Sequence, residues 1–252
     1  MVDPGSALAA ARAALESAPR ILALTGAGVS AESGIPTFRG PGGLWHEHRG
    51  EDLATPAAFA RDPQLVWDWY RWRRSIVARA RPNAGHVALA RFERRCPTGS
   101  WSLVTQNVDG LHTQAGSRCP VELHGSLWRA RCLDCGRERD DNAETAGAGS
   151  SLPRCALCGG LERPAVVWFG EALPEAKWNG AVAMCVASTA LLVVGTSALV
   201  YPAAGLIDVA LAVDAAVIEI NPEETAASER ATHVLRGAAA SLLPRLLRAP
   251  GA

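Results

Sequence analysis

Four cysteines in two matched pairs give the clearest chemical signal in this 252-residue chain. Cys132 and Cys135 form one pair, and Cys155 and Cys158 form the other, each with two residues between the sulfurs. This spacing is typical of a tetrahedral zinc site, because each short gap lets both sulfurs reach one ion. Since four thiolates leave no open coordination position, we expect a structural ion. The competing interpretation, a catalytic metal with water in place of one cysteine, fits this spacing less well.

Two glycine-rich stretches near the N-terminus could hold a phosphate-bearing cofactor. The first, at residues 26–28, ends a short apolar run, so its backbone can approach a phosphate closely. The helix expected after it would offer free N–H donors and a positive dipole end. The second, at residues 34–40, adds Phe38 and Arg39 and could close over a cofactor. By itself the first stretch is weak evidence, since a plain tight turn has the same composition.

Polar side chains follow two other apolar runs. Gln106, Asn107 and Asp109 come after one of them, and their amides and carboxylate could fix a ribose and a carboxamide. The alternative is an Asx-rich turn that caps a helix. His124 follows the next predicted strand, and the glycine beside it would leave room for a substrate. Histidine titrates near neutral pH, as a general base must, whereas we give the other five histidines a structural role.

The elements that must position these residues are short apolar runs, typical of buried parallel strands. Four such runs end in small or polar clusters, and they are residues 20–25, 101–105, 190–194 and 215–220. Ligands of open parallel sheets bind at the carboxyl ends of the strands, so the clusters should share one pocket. We therefore predict an α/β fold: a Rossmann-like parallel sheet with helices on both faces, plus a small inserted zinc-ribbon and helical domain.

The predicted Rossmann-like domain is interrupted twice along the chain. Its three parts are residues 1–50, 96–126 and 165–252. The first interruption is a helical module of the small domain at residues 51–95, and the second is the zinc-binding insert at residues 127–164.

Composition argues against several classes of partner. The 25 basic and 25 acidic residues cancel, whereas binding to nucleic acid or to an anionic membrane needs a basic excess. Residues 180–207 carry no charge over a length that could span a bilayer, but glycine and Pro202 interrupt them. A buried strand, a turn and a helix explain them better. We expect a cytoplasmic monomer with no nucleic-acid or membrane partner.

Taken together, these motifs resemble those of the sirtuins, which are NAD-dependent protein deacylases. In chain order they are GAGVSAESGIPTFRG at 26–40, TQNVDGLH at 105–112, LHGS at 123–126, the cysteine pairs, VVWFGE at 166–171, GTS at 195–197 and NP at 221–222. The match covers almost the whole chain. The resemblance implies NAD as cofactor, one structural zinc ion, and acyl-lysine proteins as substrates.

The resemblance also implies roles for individual residues. His124 resembles the catalytic base. The residues implied in NAD binding are Gly26, Ala27, Gly28, Ser30, Glu32, Phe38, Arg39, Trp45, Gln106, Asn107, Val108, Asp109, Gly195, Thr196, Ser197, Asn221, Pro222, Glu223 and Ala239. A strand that would pair with the substrate peptide by β-augmentation is implied at Val166, Val167, Phe169, Gly170 and Glu171.

One pair resembles a subgroup of the family. Tyr70 and Arg73 match the Tyr-x-x-Arg of class III, sirtuin-5-like enzymes, which remove succinyl and malonyl groups. On a helix the two residues share a face, and a phenol with a guanidinium can bind a carboxylate. Ala54 is small enough to suit a pocket widened for longer acyl groups. The alternative is that Arg73 is one of several surface arginines.

We therefore expect an enzyme that uses NAD to remove succinyl, malonyl and also acetyl groups from protein lysines, giving nicotinamide and O-acyl-ADP-ribose. Two alternatives stay open. One keeps NAD but transfers ADP-ribose to protein. The other is a non-enzymatic zinc-ribbon binding module, against which the neutral charge and the ordered polar strand ends count.

Overall fold

The computed structural model describes residues 4–37, 44–45, 48–141 and 151–248. Its larger sheet is parallel throughout, with the strand order β11-β10-β9-β1-β4-β5. The strands of this sheet are β1 (Ile21–Thr25), β4 (Trp101–Thr105), β5 (Val121–Glu122), β9 (Ala190–Val194), β10 (Ala216–Asn221) and β11 (His233–Arg236). All four predicted strands lie in it, which confirms the α/β prediction.

Helices cover both faces of this sheet and fill the small domain. They are α1 (Pro4–Ser17), α2 (Gly28–Ala31), α3 (Gly50–Leu53), α4 (Pro56–Arg61), α5 (Pro63–Arg79), α6 (Ala84–Arg95), α7 (Leu111–Gln114), α8 (Glu175–Val186), α9 (Gly205–Ala212) and α10 (Ala239–Leu246). On one face α1, α6 and α10 contribute Leu8, Leu89 and Leu243 to a buried core. On the other face α8 and α9 contribute Ala181 and Leu206. Because the central strands are buried on both faces, they are apolar without alternation.

A second, antiparallel sheet with the order β7-β6-β8 carries the cysteine pairs. Its strands are β6 (Gly125–Cys132), β7 (Glu138–Asp140) and β8 (Glu162–Val166). Leu53, Phe59 and Trp67 of α3, α4 and α5 pack with Leu127 of β6 in a third buried core. A short antiparallel pair, β2 (Leu44–Trp45) and β3 (His48–Arg49), precedes these helices.

Helix α6 differs from the other helices between residues 51 and 95. It contributes Leu89 to the core of the larger sheet, whereas α3, α4 and α5 belong to the small domain. We therefore propose that the helical module ends with α5 and that α6 belongs to the Rossmann-like domain.

The uncharged residues 180–207 contain the end of α8, the whole of β9 and the start of α9. Within the ranges that the structure describes, none of the helices combines the length and the apolar character needed to cross a bilayer.

Candidate active site and zinc centre

The carboxyl ends of β1 and β9 meet so closely that only glycine fits between them. The N–H of Gly28 donates to the carbonyl of Gly195 at 2.7 Å. A Cβ added to Gly26 or Gly28 would lie 2.7 Å from atoms of residues 195 and 196, and one added to Gly195 would lie 2.4 Å from a backbone nitrogen. Packing of the two strand ends therefore requires these glycines, in addition to any role toward a phosphate.

A buried hydrogen-bond network beside this contact holds Asp109. The hydroxyl of Ser30 donates to Asp109 Oδ2 at 2.8 Å and accepts from Asn107 Nδ2 at 3.2 Å. Asp109 Oδ1 accepts from the N–H of Leu111 at 2.8 Å, so the predicted alternative, an Asx turn at the start of a helix, is present here. Burial raises the pKa of Asp109, and the hydrogen bonds from Leu111 and Ser30 and the charge of Arg73 oppose the rise.

Side-chain amides link the ends of β4, β9 and β10. Gln106 Nε2 donates to Thr196 Oγ1 at 3.0 Å, and Asn221 Nδ2 donates to the carbonyl of Thr196 at the same distance. The three predicted cofactor residues therefore lie in one row across the sheet. A fourth predicted cofactor residue, Val108, has a backbone role: its carbonyl accepts from the N–H of Leu127 at 2.9 Å.

The predicted adenosine end lies between β10 and α10. The N–H of Glu223 donates to Asn221 Oδ1 at 3.3 Å, and Pro222 between them is exposed. Ala239 is buried at the first residue of α10. The carboxylate of Glu32 accepts from the next backbone N–H of that helix at 2.8 Å, which ties the residues after α2 to α10. Glu32 thus has a structural partner where we predicted a cofactor contact.

His124 lies between β5 and β6, against the end of β4. Its Nδ1 is 3.0 Å from the carbonyl oxygen of Gln106. Because a carbonyl only accepts, Nδ1 carries the proton, and the neutral ring has its lone pair on Nε2. Among the described residues, Nε2 has no hydrogen-bond partner. Burial lowers the pKa of His124, and the bond to Gln106 partly opposes this. The ring is therefore arranged as a base at neutral pH.

The interpretation of Gly125 as room for a substrate is wrong. Its φ is +82°, and a Cβ at this position would lie 2.1 Å from the carbonyl oxygen of Ala165. The space beside His124 on this side is filled by β8, so the close approach of two strands requires the glycine.

Tyr70 and Arg73 share one face of α5, as their spacing predicted. The guanidinium carbon of Arg73 lies 5.0 Å from the ring centroid of Trp69 and 5.9 Å from that of Tyr70. Burial lowers the pKa of Arg73, and the charges of Tyr70 and Asp109 oppose the shift. Arg73 is only partly exposed and packs on aromatic rings, so it is not a fully solvated surface arginine.

The two neighbouring arginines of α5 have carboxylate partners. Arg71 pairs with Asp68 at 2.7 Å, and Arg74 pairs with Asp141 at 2.5 Å. Ala54, at the end of α3, is 5% exposed, and its carbonyl accepts from the N–H of Phe169 at 2.9 Å. Small size at this position is therefore combined with a backbone contact to the predicted peptide-binding segment.

Only Val166 of that predicted segment belongs to a strand. The N–H of Val167 donates to the carbonyl of His124 at 2.8 Å, and that of Phe169 donates to Ala54. Residues 168–171 form a turn in which the N–H of Glu171 donates to the Trp168 carbonyl at 3.0 Å. The prediction of a strand over 166–171 is therefore wrong beyond its first residue, because the chain turns at residues 168–171.

Glu171 also has a partner inside the chain. Its carboxylate accepts from both terminal nitrogens of Arg163 and, at 2.8 Å, from the N–H of Trp168. Burial opposes ionisation of Glu171, but the bonds from Arg163 and Trp168 outweigh it, and its pKa is lowered. The carboxylate thus stabilises the turn at Gly170, where φ is +86°.

The four predicted metal ligands form one cluster. Their sulfur atoms all lie within 4.8 Å of one another. The sulfurs of Cys132 and Cys158 are 3.5 Å apart, and those of Cys135 and Cys155 are 3.7 Å apart. Zn–S bonds of about 2.3 Å in a tetrahedron place sulfurs roughly 3.8 Å apart. The cluster therefore fits a structural zinc ion.

Phe38 and Arg39 lie outside the described residues, as does the side chain of Trp45, whose backbone is in β2.

Comparison with known proteins identifies the family. The Sir2 family, the sirtuins, matches residues 26–202. This chain belongs to it. The chain is 52% identical to NAD-dependent protein deacylase 2 of Pyrobaculum aerophilum over 235 residues, 92% of each chain. It is 53% identical to NAD-dependent protein deacylase of Aquifex aeolicus over 205 residues, 81% of this chain and 84% of that protein. The predicted family is confirmed.

Solved structures of Sir2 proteins have the same fold. A Sir2 homologue in complex with NAD has a TM-score of 0.88 and 47% identity, with coverage of 94% of this chain and 91% of that chain. A complex of Sir2 with a p53 peptide and NAD+ has a TM-score of 0.82 and 29% identity, with coverage of 93% and 95%. The first complex supports NAD as the predicted cofactor.

Two histidines of this Sir2-family chain extend the site further than sequence reasoning indicated. His86 Nε2 is 3.3 Å from Ser30 Oγ, and His112 Nε2 is 2.9 Å from Thr25 Oγ1. Burial lowers the pKa of His86 to about 4 and, with the charge of His86, that of His112 to about 3. Both rings are neutral at working pH and position hydroxyls. The capping-box position of His86, three residues after Asn83, was a signal for it.

Sequence reasoning also missed Trp128 and Arg163. Trp128 Nε1 donates to the carbonyl of Asp109 at 2.8 Å, which fixes the backbone of a cofactor candidate. Arg163 lies under the turn at residues 168–171. The partner of Trp128 is 19 positions away, and Arg163 meets Glu171 only because the chain turns between them, so no helix or strand pattern indicated either residue.

Proposed function

We propose that this chain is an NAD-dependent protein-lysine deacylase with His124 as its general base. The strongest support is the orientation of the His124 ring, which the hydrogen bond from Nδ1 to the Gln106 carbonyl fixes. The ring therefore lies at the strand ends that carry Gln106, Thr196 and Asn221, and its Nε2 is unprotonated. Relatives at 52% and 53% identity carry the name of this activity.

The residues that would hold NAD lie along the carboxyl edge of the larger sheet. The backbone at residues 26–28 would face the pyrophosphate, Asn107 and Asp109 the nicotinamide end, and Thr196 and Asn221 the adenosine end. Bound NAD would supply a ribose carbon from which nicotinamide departs. Nε2 of His124 would then accept a proton from a ribose hydroxyl, and the neutral ring has the free lone pair for this step.

We further propose that succinyl and malonyl groups are substrates in addition to acetyl groups. Tyr70 and Arg73 support this, since a buried phenol and a partly buried guanidinium lie together on α5. Burial raises the pKa of Tyr70 to about 12, so it remains a hydrogen-bond donor. An acyl carboxylate would find one neutral donor and one cation there, a combination that an acetyl group cannot use.

For the peptide, Val166, Val167, Phe169 and Gly170 remain proposed contacts. Their support is now different, because the N–H groups of Val167 and Phe169 have partners inside the chain. Contact would come from backbone carbonyls and from the Phe169 ring, whose residue is 43% exposed.

The test compares acyl groups on one peptide. Arg73→Met should lower kcat/KM for the succinyl peptide about 10- to 100-fold more than for the acetyl peptide, because a hydrogen bond to a charged group contributes about 1.5–3 kcal/mol. Arg71→Met is the matched control, since it removes an arginine of the same helix that pairs with Asp68. An equal loss on both peptides would refute the acyl preference.

Mass spectrometry with and without NAD separates deacylation from ADP-ribose transfer. Deacylation removes the acyl mass from the peptide, whereas transfer adds the mass of ADP-ribose to the protein. Retained ADP-ribose with no loss of acyl mass would favour the transferase alternative.

A further inference from the structure

The indole of Trp168 donates a hydrogen bond to the hydroxyl of Tyr70. Trp168 Nε1 is 2.9 Å from the Tyr70 oxygen, and the two residues are 3% and 1% exposed. An indole nitrogen can only donate. The phenol oxygen is therefore the acceptor of this bond, and its own proton has to point in another direction.

That proton has no acceptor within the described part of the chain. The bond from Trp168 is the only hydrogen bond of Tyr70 among these residues. A buried O–H that donates to nothing costs free energy, so an arriving acceptor would be bound favourably. Because the raised pKa of Tyr70 keeps the phenol protonated at working pH, the hydroxyl is a donor and not an anion.

Trp168 itself is fixed on several sides. Its backbone N–H donates to Glu171, and its ring lies under Arg163, whose guanidinium carbon is 3.3 Å from the ring centroid. The ring of Phe59 packs against it with centroids 5.2 Å apart. The indole therefore has little freedom to turn, and the direction of its N–H is set by the turn at residues 168–171.

We propose that Trp168 is a positioning residue for acyl selectivity, which orients the Tyr70 hydroxyl as a donor to the distal carboxylate of succinyl and malonyl groups. This inference rests on the proposed acyl preference. The partner chemistry is that of a short dicarboxylic acyl group, since an acetyl group has no atom at the far end to accept the bond. The effect of Trp168 is therefore selective for acidic acyl groups.

The test is the ratio of desuccinylation to deacetylation in Trp168→Phe. Phenylalanine keeps an aromatic ring but has no N–H. We expect the ratio of kcat/KM for succinyl over acetyl peptide to fall about five- to tenfold, because the phenol is no longer held in one direction. Trp67→Phe is the matched control: its Nε1 donates to the Glu162 carbonyl at 2.9 Å in the same apolar core. Its ratio should stay within about twofold of wild type.

A double-mutant cycle with Tyr70→Phe shows whether Trp168 acts through the phenol. If it does, Trp168→Phe causes no further fall of the ratio in the Tyr70→Phe background. An isostere at position 168, 3-benzothienylalanine, keeps the two-ring shape without the N–H, so it gives the answer if the phenylalanine variant does not fold.

The outcomes separate this inference from the proposed function. A lower ratio in Tyr70→Phe with unchanged ratios in both Trp168 variants would overturn the role of Trp168 and leave the acyl preference standing. A wild-type protein that removes acetyl but not succinyl groups would overturn the acyl preference, and the role of Trp168 with it. Additive effects in the cycle would overturn the route through Tyr70.

Discussion

A buried ion network joins α5 to the zinc-bearing sheet, and its disruption should be strongly destabilising. Arg74 and Asp141 are 2.5 Å apart, with side chains 3% and 5% exposed. Asp141 also pairs with Arg139 at 2.8 Å, and Arg139 pairs with Glu162 at 2.7 Å. The carboxylate of Asp141 therefore lies between two guanidinium groups, one of them buried.

Asp141→Ala would leave the Arg74 guanidinium buried without its carboxylate. Within the described residues, Nε and Nη2 of Arg74 already lack hydrogen-bond partners, so Asp141 provides most of the compensation. Removing one member of a buried pair costs about 3–5 kcal/mol. For a chain of this length that corresponds to a fall in Tm of roughly 10 °C.

Urea unfolding of the zinc-loaded protein, followed by circular dichroism, measures the loss. Asp140→Asn is the control, because the neighbouring carboxylate is exposed and its removal should change the free energy of unfolding by less than about 0.5 kcal/mol. The double variant Arg74→Met with Asp141→Leu should regain most of the loss, since it removes both charges of the buried pair and leaves neither of them unpaired. A cost below about 1 kcal/mol for Asp141→Ala would refute this reasoning.

The pH dependence of the same network has a definite sign. Burial opposes ionisation of Asp141, but the bonds and charges of Arg74 and Arg139 outweigh it, and the pKa is lowered from 3.8. A carboxyl whose pKa is lower in the folded state stabilises the fold above its unfolded pKa. The difference in stability between wild type and Asp141→Ala should therefore be complete at neutral pH and shrink as the pH falls below about 4.

Three further perturbations test other parts of the site. Burial lowers the pKa of His124, and the base must be neutral, so the rate of deacylation should rise with pH to a plateau, with a midpoint below pH 6.5. The variant His124→Asn should abolish turnover without lowering Tm. Chelation of zinc should unfold β6–β8 before the larger sheet, as measured by hydrogen exchange, and equal protection of both sheets would contradict a structural ion. Glu219 is 1% exposed and accepts from Thr225, Ser228 and Arg236 beside the predicted adenosine end. Glu219→Gln should therefore raise KM for NAD several-fold with little change in kcat, whereas a fall in kcat alone would speak against this role.

The strands of the larger sheet were the most predictable part of the fold. Strands β4 and β9 have the predicted bounds, β1 starts one residue later than predicted, and β10 starts and ends one residue later than predicted. A strand buried on both faces is mostly apolar along its length, without alternation, and here each such run ends in small or polar residues that mark its end. The cysteine pairs were predictable for a similar reason, since a tetrahedral ion constrains spacing directly.

Contacts between distant residues were not predictable. Tyr70 and Trp168 are 98 positions apart, and Arg74 and Asp141 are 67 positions apart. The chemistry proposed for Tyr70 and Arg73 follows from their residue types. Nothing in the sequence, however, indicates that Trp168 is the donor to the Tyr70 hydroxyl. The error at Gly125 has the same origin. The sequence alone does not distinguish a glycine that leaves room for a substrate from a glycine that leaves room for a neighbouring strand.

The turn after β8 links the proposed catalytic base to the proposed acyl pocket. The N–H of Val167 donates to the His124 carbonyl, and two residues later the N–H of Phe169 donates to that of Ala54. Between them Trp168 bonds Tyr70. A displacement of this turn would therefore move the base and both sides of the pocket together. Because β8 belongs to the zinc-bearing sheet, we expect a zinc ion held by the four cysteines to stabilise the geometry of the site without contributing an atom to its chemistry.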